Sequence, residues 1–212
     1  MRNLFNPDSA LMRFLNRVAD VMILNLLFVA TALPVVTLGP ALTALFYTAM
    51  KLGDADFDGV GGNYLRSFRE NFRQGMLLGL IWAALVAVFG AWYVVVDNLN
   101  ISQVVRLVLW ALYYLTAFRF ALTALYVFAY QARFDDRLAV VLNNSRLMSL
   151  AHLPSSLAMA AVVALAVLIT VFYPQLVGYG VLWLLLGFGA IAHVNGALLN
   201  SIFRTYAPAP TR

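Results

Sequence analysis

Few residues in this chain could do chemistry, and Arg119 is the most conspicuous of them. It interrupts the run Tyr113-Tyr114-Leu115-Thr116-Ala117-Phe118-Arg119-Phe120-Ala121. If that run crosses a bilayer, a charge at its middle costs about 2.5–3.5 kcal/mol on insertion scales. The guanidinium must then face the protein interior and find acceptors. His193 and Asn195 in a later apolar run, and Asn25 in an earlier one, are the candidate neighbours by depth. Asp20 and Asp97 lie nearer the ends of their runs. Two roles are open. Arg119 could bind an anionic or hydroxyl-rich ligand, or it could be a structural arginine held by backbone carbonyls and amides, or snorkelling to an interface. A metal site needs three or four ligands, and the only other histidine is His152. Hydrogen bonding between helices is therefore the better account of His193 and Asn195. Neither a metal nor a cofactor is expected.

Three polar segments lie outside the apolar runs. Asp54-Ala55-Asp56-Phe57-Asp58-Gly59 copies the first half of a calcium loop, with carboxylates at alternate positions and a glycine for the turn. The twelfth position, where a bidentate acid belongs, is Leu65, so a solvated acidic loop is the expectation. Arg66, Arg69 and Arg73 are spaced i, i+3, i+7 beside Phe68 and Phe72, which suits a helix lying on anionic head groups or a partner. Plain loop charge explains the same residues. Between 134 and 152 the residues Leu138, Val141, Leu142, Arg146 and Ser149 give partial helical periodicity that ends at Pro154. A short interfacial helix there offers a place for an ATPase subunit to dock. Gly75 and Gly79 form one G-x-x-x-G. No phosphate-binding glycine loop, dinucleotide fingerprint, H-E-x-x-H or G-x-S-x-G occurs. With nine acidic residues and two histidines an enzyme is not expected.

These residues must be positioned by membrane helices. Of 212 residues 63% are hydrophobic and 11% charged, against about 45–50% and 25% in an average soluble domain. That excludes a soluble globular protein and a disordered chain. The absence of cysteine excludes disulfides, thiol catalysis and cysteine-ligated metals. The net charge of +5 reads as topology control rather than nucleic-acid binding. The N-terminal apolar run is too long for a cleaved signal and reads as an anchor that stays.

The uncharged stretches are Val21 to Met50, Gly75 to Val96, Leu107 to Ala132 broken by Arg119, and Leu147 to Phe203. The middle two are one crossing each. The last is two, turning near Tyr173-Pro174. The first contains Pro34, Gly39 and Pro40, which a straight helix does not tolerate. A hairpin around Pro34–Pro40 puts twelve basic residues on one side and Arg106 alone on the other, as the positive-inside rule prefers. A re-entrant hairpin gives the same split. The expectation is an all-α, single-domain polytopic bundle of about six membrane helices. They fall near 14–33, 40–55, 72–96, 103–131, 154–173 and 177–203, the first two short and both termini cytoplasmic. Whether residues 18–51 cross fully stays open. Trp92, Tyr93, Trp110, Tyr173, Tyr179 and Trp183 then fall toward the outer interface, and Trp82 is a packing residue.

One resemblance stands out. Phe5-Asn6-Pro7, Leu11-Met12-Arg13-Phe14-Leu15-Asn16-Arg17, Asn25-Leu26-Leu27, Leu33-Pro34-Val35-Val36-Thr37-Leu38-Gly39-Pro40-Ala41 and Ala44-Leu45-Phe46-Tyr47 resemble the YesL family of bacterial membrane proteins, a domain of unknown function. Phe68, Asn71-Phe72 and Arg133-Phe134 extend the likeness, and Pro34, Thr37, Gly39 and Pro40 are its most specific part. The family pattern places a proline ahead of the Arg-Phe pair, where this chain has Ala129. Members tend to be encoded beside carbohydrate importers of the ATP-binding cassette (ABC) type. The resemblance thus implies a non-enzymatic accessory or regulatory role in saccharide uptake, in a bacterial plasma membrane, with importer subunits as partners. The alternative is a small-molecule binding or transport protein with its site at Arg119. Oligomeric state and substrate are not legible.

Overall fold

A computed structural model describes residues 10–52, 54, 57–134 and 136–206. Asp56 and the Phe5-Asn6-Pro7 triplet lie outside the described residues. Every element described is helical. The order is α1 (Ala10–Ala32), a single 3₁₀ turn (Val35–Thr37), α2 (Leu38–Lys51), α3 (Val60–Glu70), α4 (Phe72–Asn98), α5 (Gln103–Arg133), α6 (Leu138–Ala151), α7 (Leu153–Phe172) and α8 (Phe188–Tyr206). A π-helical segment, Trp183–Gly187, leads directly into α8.

Pro34 ends α1, because the residue before a proline is pushed out of the helical region. Thr37 then closes the corner. Its hydroxyl donates to the carbonyls of Thr31 at 2.6 Å and Pro34 at 2.7 Å. Pro40 falls in the first turn of α2, where the missing N–H has no helical acceptor. α5 runs unbroken through Ala129 to Arg133.

Five helices are long and apolar enough to cross a membrane: Leu11–Ala32, Phe72–Asn98, Gln103–Arg133, Leu153–Phe172 and Trp183–Tyr206. The chain is thus a multi-pass membrane protein. The first helix is not short, as the sequence suggested, but 23 residues. α2 has 14 residues, about 21 Å, which is less than the hydrocarbon core of about 30 Å.

The side contacts order the ends of the bundle. Asn25 in α1 bonds to Trp183 and Leu184 at the start of the last helix. Further along α1, Thr31 shares a hydrogen bond with Tyr64, whose hydroxyl reaches the Ala41 carbonyl at 3.5 Å near the start of α2. Gly39 and Pro40 press against Gly75 and Gly79 in the first turns of α4. Gln74, also there, donates to the Asp136 carbonyl beyond the end of α5 at 2.8 Å. Tyr130, near the end of α5, packs on Phe203, near the end of α8. So α1 runs against α8: Val21 meets Gly189, and Asn25 meets the residues before it. α2 returns beside α1, with Tyr47 near Asn71 and Gln131 and Leu52 near Asn200 and Arg204, at the end where α4 begins and α5 and α8 finish. The two form the expected hairpin, and its Pro34–Pro40 corner points away from that end along α4.

α2 is the centre of the molecule and packs against α1, α3, α4, α5 and α8. Gly39, Pro40, Ala41, Thr43, Ala44, Leu45, Thr48 and Ala49 are buried. Small side chains fit there because in lipid, helices associate through close packing rather than hydrophobic expulsion. One apolar cluster joins α1, α2 and α3 around Leu24, Leu45 and Tyr64. The other joins α4, α5, α6, α7 and α8 around Leu78, Tyr126, Met159 and Phe203.

Candidate functional site

The four residues singled out for an intramembrane site occupy separate places. Asn25 is fully buried and knits α1 to the last helix. Its Nδ2 donates to the carbonyls of Trp183 at 3.0 Å and Leu184 at 2.6 Å, and its Oδ1 accepts from the Gly189 N–H at 2.9 Å. A π-helical turn interrupts the regular backbone pairing, and one asparagine amide meets both the acceptors and the donor. Gly189 allows the approach. A Cβ there would lie 2.7 Å from the Val21 carbonyl oxygen. Trp183 is fixed in turn by its indole N–H, which donates to Thr170 of α7 at 2.8 Å. No sequence signal announced the π segment.

His193 lines a shallow groove of about 280 Å³ between the end of α2 and α8, with Asp54, Asn200, Ser201 and Arg204. Asn195 is buried, and neither polar atom of its amide has a partner. Among the described residues no group of three His, Asp or Glu side chains converges as metal ligands would.

Arg119 lies in a groove of about 490 Å³ formed by α4, α5 and α6. Trp82, Leu85 and Phe89 make one wall, Thr116, Phe120 and Thr123 flank Arg119, and Leu142 and Arg146 come from α6. Trp82 stacks on Phe120 at 4.6 Å, the packing role its position suggested. Beyond this pair the two helices are joined by Phe89, Trp92, Tyr93, Trp110 and Tyr113. The second wall, from α6, was not foreseen, because the periodicity of 138–151 shows a helix but not what it lies against.

The end of the bundle near Arg133 carries two further grooves that meet at Phe134. One of about 320 Å³ is lined by Tyr130, Asn144, Leu147, Met148, Ala151 and Tyr206. The other, about 350 Å³ and more polar, is lined by Tyr47, Glu70, Asn71, Gln131 and Arg133. Phe134 stands between them, packed on Tyr130 at 4.5 Å and Phe203 at 5.4 Å. Tyr130 donates to Asp136 at 2.7 Å and accepts from Asn144 at 2.7 Å, which fixes the α5–α6 turn. His152 and Tyr206 hydrogen-bond at 2.9 Å beside the first groove.

The arginines expected on one face are divided by a break. The helix stops at Glu70 and restarts at Phe72, and Asn71 in the gap bonds back to the Ser67 carbonyl at 3.0 Å. Arg66 and Arg69 therefore belong to α3, and Arg73 to α4. Arg66 donates to Asn63 at 2.8 Å and to Tyr47 at 3.3 Å. It is exposed, as are Arg69 and Arg73. The helix is anchored by Tyr64, whose phenol is pushed up to about 12 by burial, partly offset by its bond with Thr31. It stays a neutral hydrogen-bonding group throughout the physiological range.

The Pro-Thr-Gly-Pro segment has a packing role. A Cβ on Gly39 would sit 1.9 Å from the Gly75 carbonyl oxygen, and one on Gly75 would sit 2.8 Å from Cα of Pro40. The G-x-x-x-G of α4 thus receives the corner that begins α2, backbone against backbone.

Fold and surface define a polytopic helical membrane protein with a small-residue seam at its centre and grooves at its basic end. Over residues 21–94, from the second half of α1 through most of α4, the chain is similar to the family described as Protein of unknown function, DUF624. That stretch contains both sides of the glycine seam. No curated protein and no solved structure matches the chain.

Proposed function

We propose that this chain is a non-enzymatic accessory or regulatory subunit of a carbohydrate importer of the ABC type, and that it docks through the grooves around Phe134. The YesL resemblance, with which the DUF624 match is consistent, supplies the importer. The observation that carries the docking surface is the pair of grooves meeting at Phe134, flanked by the exposed apolar residues Leu147 and Leu150 of α6. The test is a mild-detergent purification of the tagged protein from native membranes, read by mass spectrometry. An importer permease or ATPase is expected in stoichiometric amount. Leu147→Glu, a change at an exposed position, should lower that recovery at least about tenfold. Recovery of this chain alone would end the proposal. A second reading, a small-molecule binding protein, draws on the groove at Arg119.

The same proposal sets the orientation in a bacterial plasma membrane. Arg69, Arg73, Arg133, Arg137 and Arg204 collect where α4 begins and α5 and α8 finish, and the positive-inside rule turns that end to the cytoplasm. The start of α1 and the end of α2 would then be cytoplasmic, and the corner at Val36 would point away from the cytoplasm. Six crossings with both termini cytoplasmic would expose Val36 outside. The chain has no native cysteine, so Val36→Cys can be probed alone. An impermeant thiol reagent should label it from outside. Labelling only in inverted vesicles would overturn this orientation.

A further inference from the structure

The groove between α4, α5 and α6 has unpaired groups of one kind. Arg119 Nη1 is buried and makes no hydrogen bond, and neither does the buried indole N–H of Trp82. Both are donors. Arg146, on the facing wall, bonds to Asn143 at 3.4 Å, a long contact that leaves most of its five donors open. The hydroxyls that could have accepted are engaged elsewhere. Thr116 donates to the Leu112 carbonyl at 2.7 Å and Thr123 to the Arg119 carbonyl at 2.9 Å. His193 and Asn195, the expected acceptors, do not line this groove. No acidic side chain lines it either. A donor buried without an acceptor costs about 1–3 kcal/mol, more when charged.

What satisfies such walls is an anion with several acceptor oxygens, and guanidinium pairs suit phosphate. The remaining lining is apolar: Leu85 and Phe89 of α4, Phe120 of α5, Leu142 of α6. Leu85 and Thr116 are exposed on the outer surface of helices that the surrounding lipid must cover. The groove is therefore amphipathic, with a cationic floor, hydrocarbon walls and an opening to the bilayer.

We infer that this groove binds an anionic phospholipid, its phosphate held between Arg119 and Arg146 with the Trp82 indole as a third donor, and an acyl chain lying along Leu85 and Phe89. The inference does not depend on importer association.

Native mass spectrometry tests it on the full chain in mild detergent. The protein is equilibrated with phosphatidylglycerol and phosphatidylcholine of the same acyl composition. Phosphatidylglycerol should be retained about twenty-five-fold over phosphatidylcholine, since each of the two arginines contributes about a fivefold preference for net negative charge. Arg119→Gln and Arg146→Gln should each reduce that preference about fivefold. Arg69→Gln, an equal charge change on exposed α3, should leave it intact. If Arg119→Gln does not fold, Arg146→Gln on the exposed side of α6 and Trp82→Phe carry the test. Equal retention of the two lipids would overturn the assignment. So would an equal loss in Arg69→Gln, which would mean unspecific surface charge. Displacement by millimolar inorganic phosphate would also overturn it, since the groove would then be a free-anion site.

Discussion

Gly39→Ala is expected to abolish accumulation of folded protein, although it adds a single methyl group. That methyl would sit 1.9 Å from the Gly75 carbonyl oxygen and 3.0 Å from the Gly79 nitrogen, both backbone atoms of α4. Neither atom can rotate away, so the helices must separate. Separation opens the contact of α2 with α4, and α2 is packed on four other helices. Overpacking ordinarily costs about 1–3 kcal/mol and occasionally more; displacement of this hub places the loss at or above about 3 kcal/mol. The series along the seam is graded. Gly75→Ala brings its methyl 2.8 Å from Pro40 Cα and should follow closely. Gly79→Ala meets Gly39 Cα at 3.1 Å, a shift of a few tenths of an ångström, and should be mild. Gly90, in the same helix with nothing within 4 Å of its would-be Cβ, should accept alanine with a small gain from helix propensity. Thermal unfolding in detergent, followed by size-exclusion chromatography, reads the whole order. Equal tolerance of Gly39→Ala and Gly90→Ala would show that the seam does not close as described.

The second large effect is expected at Asn25. Asn25→Leu keeps the branched heavy-atom skeleton and removes all three hydrogen bonds. The Trp183 and Leu184 carbonyls and the Gly189 N–H are then left in an apolar interior. Each unsatisfied group costs about 1–3 kcal/mol, while hydrogen bonds between membrane helices average nearer 0.6 kcal/mol. A net loss of about 3 kcal/mol is the expectation between those limits. Asn25→Asp separates the donor from the acceptor role. A carboxylate accepts from Gly189 but repels the two carbonyls, so it should destabilise nearly as much as leucine. If either variant unfolds with the native midpoint, the bridge to the last helix is not holding it.

The sequence was informative where one physical signal dominates. α4 and α7 are apolar runs of crossing length with charges or prolines at their ends, α5 is one broken by Arg119, and their expected bounds fall within two residues of the observed ones. α6 declared itself through periodicity and Pro154, and the turn at Tyr173 through Pro174. The α1–α2 hairpin was legible from Pro34 and Pro40, but its depth was not. Hydropathy and loop charge report which side a segment faces, and both are equally content with a hairpin that crosses and one that re-enters. The 14 residues of α2 and the backbone contact of Gly39 with Gly75 place the corner, and a glycine records its neighbour in no pattern of its own. The candidate polar site failed for a related reason. Asn25, Arg119, His193 and Asn195 were grouped by depth, but depth does not give the angle around a bundle. The break at Asn71 was masked because amphipathic spacing continues across it.

The central position of α2 also bears on how the protein is made. The chain is synthesised from its N-terminus, so α2 emerges early. Its partners α4 and α5 come later, and α8 later still; Gly196 of α8 is what lies against Ala49 and Met50. Until α8 has been made, the small-residue surface of a helix too short to span waits among lipids without its matching faces. Closure of the core is thus gated by α8. A helix inserted well after α2 completes the enclosure of α2, and a chain that stalls before α8 presents the quality-control proteases of the membrane with an open core.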